Sequence, residues 1–329
     1  MTKIRLSLAI GAYDHVRDLL DGTVPVDGVE LTVLRLPVEE IFYRFLMHDE
    51  FDVSEASLAK IAAFAARDDR RFVPLPVFPS RAFRHSSIYV RSDTGIARPE
   101  DLASKRVGVP EWAQTAAVYT RGLLAHDYGV DLASIRWHQA GVNQPGRIEK
   151  VALDLPPGIR LEVVADRSLS QMLLAGDLDA VLSARPPAPF LAGDQRVRRL
   201  FPDYRAVEVA YARKTGIFPI MHVVAMRREV YEQDRWLAMN LFKAFAEARA
   251  RSLQRAADMA LSFFPLPWIA DELRIARELF GDDPWPYGVA PNRATLDLFL
   301  RYAFEQGVCR RPLTVDALFP PEVQETFRI

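Results

Sequence analysis

The chain has 329 residues, half of them hydrophobic, with 42 Lys and Arg against 43 Asp and Glu and a formal net charge of −1. That length exceeds what one hydrophobic core usually organises, so two lobes are expected. The near-balance of charge gives no electrostatic reason for nucleic acid or an anionic membrane as partner. The single cysteine, Cys309, excludes an intramolecular disulfide and a cysteine-built metal cluster.

Lys3 to Ile10 alternates as a first strand, and the polar segment Gly11–His15 leads into a helix. The apolar part of this N-terminus is too short and too interrupted by charge for an export signal. No window approaches the ~20 apolar residues of a membrane span. A cytoplasmic protein is therefore expected. Val29 to Leu36 alternates again, and Pro37-Val38-Glu39-Glu40 opens a helix with acidic residues in its first turn. Phe51-Asp52-Val53 reads as a short strand, with Ser54-Glu55-Ala56-Ser57 capping the helix that follows. This βαβαβα order implies a parallel sheet.

Arg71 to Arg91 is strand-like, long and punctuated by proline, as a chain crossing from one lobe to the other would be. A strand at Arg106–Val109 and a helix from about Pro110-Glu111 come next. Strands at Ile135–Gln139 and Leu161–Ala165, a helix around Ser168–Ala175 and a strand at Leu178–Ser183 make a second α/β unit. Thr215 to Met226 reads as a long apolar strand returning to the first lobe. From Arg235 onward Leu237, Leu241 and Phe245 keep helical spacing. The expected fold is α/β, a two-lobed clamshell with two crossing strands. Residues 1–88 with 220–329 form one lobe and 89–219 the other.

The run Asp101–Pro110, the segment Gly176–Pro187 and the two crossings resemble type II periplasmic-binding-protein folds. More specifically, Phe83–Val90, Gly216–His222 and Pro286-Tyr287-Gly288 with Asn292-Arg293 resemble the 4,5-dihydroxyphthalate decarboxylase family, enzymes built on that fold. The resemblance spans nearly the whole chain. It implies a cytoplasmic carboxy-lyase of phthalate degradation that needs no organic cofactor. Its partner would be a small hydroxylated aromatic acid, and a homo-oligomer is compatible with the sequence without being specified by it.

Candidate residues cluster at the crossings and at the carboxyl ends of strands, where open α/β sheets bind ligands. Arg81, Arg84, His85, Ser86 and Ser87 offer cations and hydroxyls to a carboxylate, with the Arg fork suited to bidentate pairing. Regular alternation would put Arg84 and Ser86 on one face and His85 and Ser87 on the other. The plainer alternative is a solvated edge. His222, in an apolar run after Pro219, is either a satisfied core histidine or a proton carrier, and the family resemblance favours the second. Glu111 is either a base for a phenolic proton or an acid favouring a helix start, while Gln114 and Thr115 add polar groups to that start. Tyr13, Glu55 and Ser57 follow the first and third strands, and Arg185 follows the strand ending at Ser183. His48, His126 and His138 sit among polar neighbours and read as surface residues. No metal-ligand spacing is present.

Aromatic decarboxylation needs an acid at the ring carbon, for which His222 or His85 is suited. It also needs a base near the phenol, Glu111 or Glu55, and cations on the remaining carboxylate, Arg84 with Arg81. The rival readings are a solute-binding protein for an aromatic acid and another enzyme on the same fold. The first would require export. A pyrimidine-precursor synthase would be expected to carry clustered cysteines.

Overall fold

The computed structural model describes residues 3–324. Its strands form two sheets. The first has five strands in the order β2-β1-β3-β11-β4, where β1 is Ile4–Ile10, β2 Val29–Arg35, β3 Val53–Ser57, β4 Phe72–Arg81 and β11 Ile220–Arg227. β1 runs parallel to β2 and β3, and β11 lies antiparallel between β3 and β4. The second has six strands in the order β10-β5-β9-β6-β7-β8: β5 Ile88–Arg91, β6 Arg106–Val109, β7 Arg136–Gln139, β8 Arg160–Val163, β9 Ala180–Leu182 and β10 Val197–Arg199. Here β9, β6, β7 and β8 are parallel, and β5 is antiparallel to β9 and β10.

The chain passes between the sheets twice, over residues 82–87 and again over 216–219. The two crossings lie against each other. The Ala82 amide donates to the Pro219 carbonyl at 3.1 Å. Phe83 stacks on Phe218 with ring centroids 4.9 Å apart, and Phe218 stacks in turn on Phe280 of the helix Ile269–Phe280.

Several elements start elsewhere than the sequence suggests. The first crossing is a continuous strand only as far as Arg81, and His85–Ser87 forms a 3₁₀ turn instead of alternating. Thr215 ends a helix, Tyr204–Thr215, and the return strand begins five residues later at Ile220. Ser54–Ser57 belongs to β3, and Ser57 makes no side-chain cap to the helix Leu58–Ala65. The helix expected at Pro110 begins at Thr115, which leaves Pro110–Gln114 as a loop.

The helix Thr115–Tyr128 decides how the halves meet. Every residue from Thr115 to Leu124 is buried, so the helix has no solvent face over its first turns. Leaving β6 of the six-stranded sheet, it packs on the helices Leu58–Ala65 and Arg293–Glu305 and on β11 of the other half. The main hydrophobic core therefore runs through both sheets as one cluster. No helix among the described residues is long and apolar enough to cross a membrane.

Candidate active site

A cavity of about 240 Å³ opens between the two sheets. The first turn of the helix Val38–His48 lines it with Val38, Glu39 and Phe42, and Lys60, Ser80, Arg84 and Gln114 lie further in. Val142, Arg147 and Lys150 reach it from the segment between β7 and β8, and Ser183, Ala184 and Arg185 from the end of β9. Met221 and His222 come from β11.

In a regular strand Met221 and His222 would face opposite ways. The β11–β4 register slips on both sides of His222, and both side chains reach the cavity. On the other flank His222 pairs with Ser57, and Glu55 lies two residues along β3 on the same sheet face. That diagonal is within reach of long side chains. The His222 Nδ1 lies 2.5 Å from the Glu55 Oε1. The same carboxylate accepts the Tyr13 hydroxyl at 2.6 Å and the Gly11 amide at 2.9 Å. Glu55 is fully buried. Burial alone would raise its carboxyl, but the His222 hydrogen bond and charge, the Tyr13 hydroxyl and the Gly11 amide outweigh it and hold the group below the usual carboxylate range. Burial and the Glu55 charge push the Tyr13 phenol upward, so it stays a donor. With an ionised acceptor beside it, Nδ1 carries the proton, and the other ring nitrogen of His222 is left for the cavity. Phe42 meets the imidazole edge-on at 4.9 Å.

On the opposite wall Glu111 is buried under three cations. Lys60 Nζ is 2.5 Å from one carboxylate oxygen, and Arg147 Nε and Lys150 Nζ are 2.6 and 2.8 Å from the other. Burial would raise this carboxyl as well. Lys60, Arg147 and Lys150 instead bring it down to about 2. Lys60 also donates to Glu149, whose second oxygen accepts the Ala113 amide. The loop holding Glu111 is pinned by Trp112, which donates from its indole to the Gln306 carbonyl and lies under the Arg121 guanidinium, 3.7 Å from the ring centroid.

Arg84 faces the cavity without a carboxylate. Its contacts are the Met221 sulfur at 3.2 Å and the Ser87 hydroxyl at 3.4 Å, and burial pushes it down to about 10. Two further polar atoms, Ser183 Oγ and Gln114 Oε1, are buried beside the cavity with no hydrogen-bond partner. Buried orphans of this kind point to a ligand or water that completes them. Thr115 Oγ1 instead pairs with Ser57 Oγ at 2.9 Å and accepts the Ala59 amide. Arg185 spans the mouth to Glu39 through two bonds of 2.6 and 2.8 Å.

The residues singled out in the sequence thus separate. His222, Arg84, Glu111, Ser57, Gln114, Thr115 and Arg185 line the cavity, while Glu55 and Tyr13 stand behind His222. Arg81 does not line the cavity: it is buried and donates to the carbonyls of Phe218 and Pro286 and to Asn292, tying the crossing to the C-terminal loop. His85 is turned away among Tyr128, Phe201 and Tyr211, and burial lowers it to about 4. Ser86 is engaged through its backbone with Glu208 and Arg199, and Ser87 bonds back to Arg84. Neither serine lines the cavity, because the 3₁₀ turn replaces the expected strand. Glu111 is not a first-turn acid, since the helix starts four residues later, and the three cations that hold its carboxyl at about 2 make its carboxylate a weak base. His138 is half-buried, unlike the surface residues His48 and His126. Lys60, Arg147 and Lys150 were not anticipated. The run Gly146-Arg147-Ile148-Glu149-Lys150 is the visible trace of the last two, a mixed-charge stretch that reads as solvated loop.

No family model matches the chain. Among solved structures, the periplasmic aliphatic sulphonate binding protein SsuA from Escherichia coli is 13% identical with a TM-score of 0.55, over 98% of this chain and 99% of that one. The alkanesulfonate-binding protein SsuA from Xanthomonas axonopodis pv. citri is 14% identical with a TM-score of 0.52, over 97% and 98%. These similarities establish the two-lobed periplasmic-binding-protein-like fold. In sequence, 4,5-dihydroxyphthalate decarboxylase from Comamonas testosteroni is 41% identical over 330 aligned positions, all of both chains. The enzyme of the same name from Pseudomonas putida is 41% identical over 204 residues, 62% of this chain and 79% of that one. With that identity sustained from end to end, the chain belongs to the 4,5-dihydroxyphthalate decarboxylase family.

Proposed function

We propose that the chain is a carboxy-lyase that converts 4,5-dihydroxyphthalate to protocatechuate and CO2, with His222 as the proton donor. The observation that carries the assignment of His222 is its Glu55 contact, which fixes one ring nitrogen and leaves the other to a cation-lined cavity. Direct loss of CO2 from the ring would leave an aryl carbanion. A hydroxyl para to the leaving carboxylate offers another route. Its ionisation pushes electron density onto the carbon bearing that carboxylate, and His222 delivers a proton there. The C–C bond then breaks, its electron pair returns to the ring, CO2 departs and aromaticity is restored. The net change is one proton gained by the ring and one CO2 lost.

Glu55 holds the imidazole through its Nδ1 side, and Tyr13 in turn holds Glu55, so the ring is positioned for transfer. The net positive field of the cleft lowers the cost of a phenolate, whose proton leaves to water through the open cleft. Arg84 grips the carboxylate that is retained. We read residues 1–88 with 220–329 and residues 89–219 as the lobes that enclose the substrate, and a cytoplasmic place in phthalate breakdown accords with that substrate.

The test is incubation of purified protein with 4,5-dihydroxyphthalate in D₂O. CO2 and protocatechuate should appear in equal amounts, with one deuterium at the vacated ring position. Tight binding without turnover would instead return the chain to the solute-binding class.

A further inference from the structure

The cavity's lining holds more cations than carboxylates. Its lining carries five cations, Lys60, Arg84, Arg147, Lys150 and Arg185, and two carboxylates, Glu39 and Glu111. Glu149 adds a third carboxylate from behind, against Lys60. Arg185 and Glu39 neutralise each other across the mouth. Glu111 and Glu149 answer two of the three cations around them. No carboxylate is bonded to Arg84, and the charge of Glu208 acts on it only from further off. The cations of the lining that carboxylates do not fully occupy are therefore Arg84 and one within the Glu111 cluster.

Within that cluster the unused donors belong mainly to Arg147. Lys60 divides its ammonium between two carboxylates and Lys150 gives its own to Glu111. Arg147 bonds Glu111 only through Nε, so both terminal nitrogens of its guanidinium make no hydrogen bond among the described residues. A free pair of parallel N–H groups is the geometry that takes a carboxylate bidentately.

We infer that Arg147 is a specificity-determining residue and that, with Arg84, it makes the cleft count carboxylates. This deepens the decarboxylase reading and rests on it for the substrate's identity. The two incompletely occupied guanidinium groups match the two carboxylates of a vicinal dicarboxylate. Arg84, with no carboxylate bonded to it, anchors the carboxylate that stays. Arg147, its charge partly answered by Glu111, orients the one that leaves without holding it as firmly. The product of the reaction still carries a carboxylate para to a hydroxyl, so ring electronics alone would permit a second loss. A monoacid settles its only carboxylate on Arg84, out of line with His222, and is spared.

The placement of Arg147 depends on both halves of the molecule. It lies in the stretch 140–159 between β7 and β8, which has no helix or strand. That stretch leaves the six-stranded sheet and docks on the other half. The Asp154 amide donates to the Gly307 carbonyl at 2.8 Å, Arg67 donates to the Ala152 carbonyl at 3.0 Å, and Glu149 meets Lys60.

Calorimetric titration with phthalate and benzoate tests the inference without turnover, because neither probe has the hydroxyl that decarboxylation requires. The wild type should bind phthalate roughly 10- to 100-fold more tightly than benzoate, the effect of one additional charge-assisted pair. Arg147→Gln should bring the two affinities within about threefold while leaving benzoate unchanged, and Arg147→Lys should recover only part of the preference. Equal affinities in the wild type, or an undiminished preference in a folded Arg147→Gln, would overturn the proposal. A wild-type phthalate preference that Arg147→Gln abolishes, together with no conversion of 4,5-dihydroxyphthalate, supports the two-arginine assignment and counts against the decarboxylase reading alone.

Discussion

On the proposed mechanism, His222 is the residue on which the chemistry turns. Its alternative fate as a satisfied core histidine makes a different prediction from its role as proton donor. His222→Gln keeps a polar group beside Glu55 but cannot deliver a titrating proton. The side chain is partly exposed to the cavity instead of sealed in the core, so the fold should survive the change. We expect kcat to fall by roughly 10²–10⁴, with the melting temperature and the affinity for phthalate close to wild type. A folded variant with near-normal kcat would remove His222 from the mechanism. The sequence marked this residue through its motif and its place after Pro219, yet could not show its partner. Glu55 lies 167 positions away, and only the antiparallel pairing of β11 with β3 makes the two diagonal neighbours. The sequence likewise marked Arg81 and Arg84 as equivalent cations. A bend after β4 separates them, sending one into the cavity and the other into a structural tie.

At the level of elements, the helix Thr115–Tyr128 shows how a close approach overrides local propensity. Gly122 lies in its interior, where alanine is ordinarily worth about 1 kcal/mol more to a helix. A Cβ at this position would come within 2.1 Å of Tyr302 Cδ2 and 2.5 Å of Tyr302 Cγ on the facing helix Arg293–Glu305. Those atoms are near the root of a ring that is itself stacked on His126, so the ring cannot simply swing aside. Overpacking of this kind costs about 1–3 kcal/mol and exceeds the propensity gain. Gly122→Ala should therefore lower the urea midpoint while leaving KM per folded molecule unchanged, and a stabilised variant would show that the two helices can move apart. The strands and helices that are readable from sequence, such as β2 and Val38–His48, each have a more buried and a more exposed side. The start of Thr115–Tyr128 was misjudged because a helix buried all round carries no polar stripe, and Pro110-Glu111 resembled a helix opening.

For the molecule as a whole, two inward-turned histidines set an acid limit. Burial lowers His85 to about 4, and it lowers His15, packed between Tyr13 and Trp285, to about 4 as well. Both folded values lie below the ordinary 6.5 of an unfolded chain, so as pH falls the unfolded state takes up these protons first. Their contribution to stability is complete above about pH 6.5 and is lost as pH falls towards 4, at about 1.4 kcal/mol per pH unit for each group. Glu111 adds a second loss in the same direction below about pH 4.5, because its folded value is about 2. Urea midpoints measured from pH 7.5 to 4.5 should decline, and the decline should be shallower in His85→Phe, which keeps an aromatic ring among Tyr128, Phe201 and Tyr211. Parallel curves would show that His85 does not carry the effect. The sequence by itself determined the α/β class, the double crossing between lobes and the family, because strand periodicity and contiguous motifs are local properties of the chain. Only the tertiary structure decided which charges share a site. Lys60, Glu111 and Glu149 come from a helix, a loop and a connecting stretch, 51 and 89 positions from Lys60, and Arg147 lies 36 from Glu111. No sequence period links such residues, and their alignment follows from the packing that brings the two sheets over one cavity.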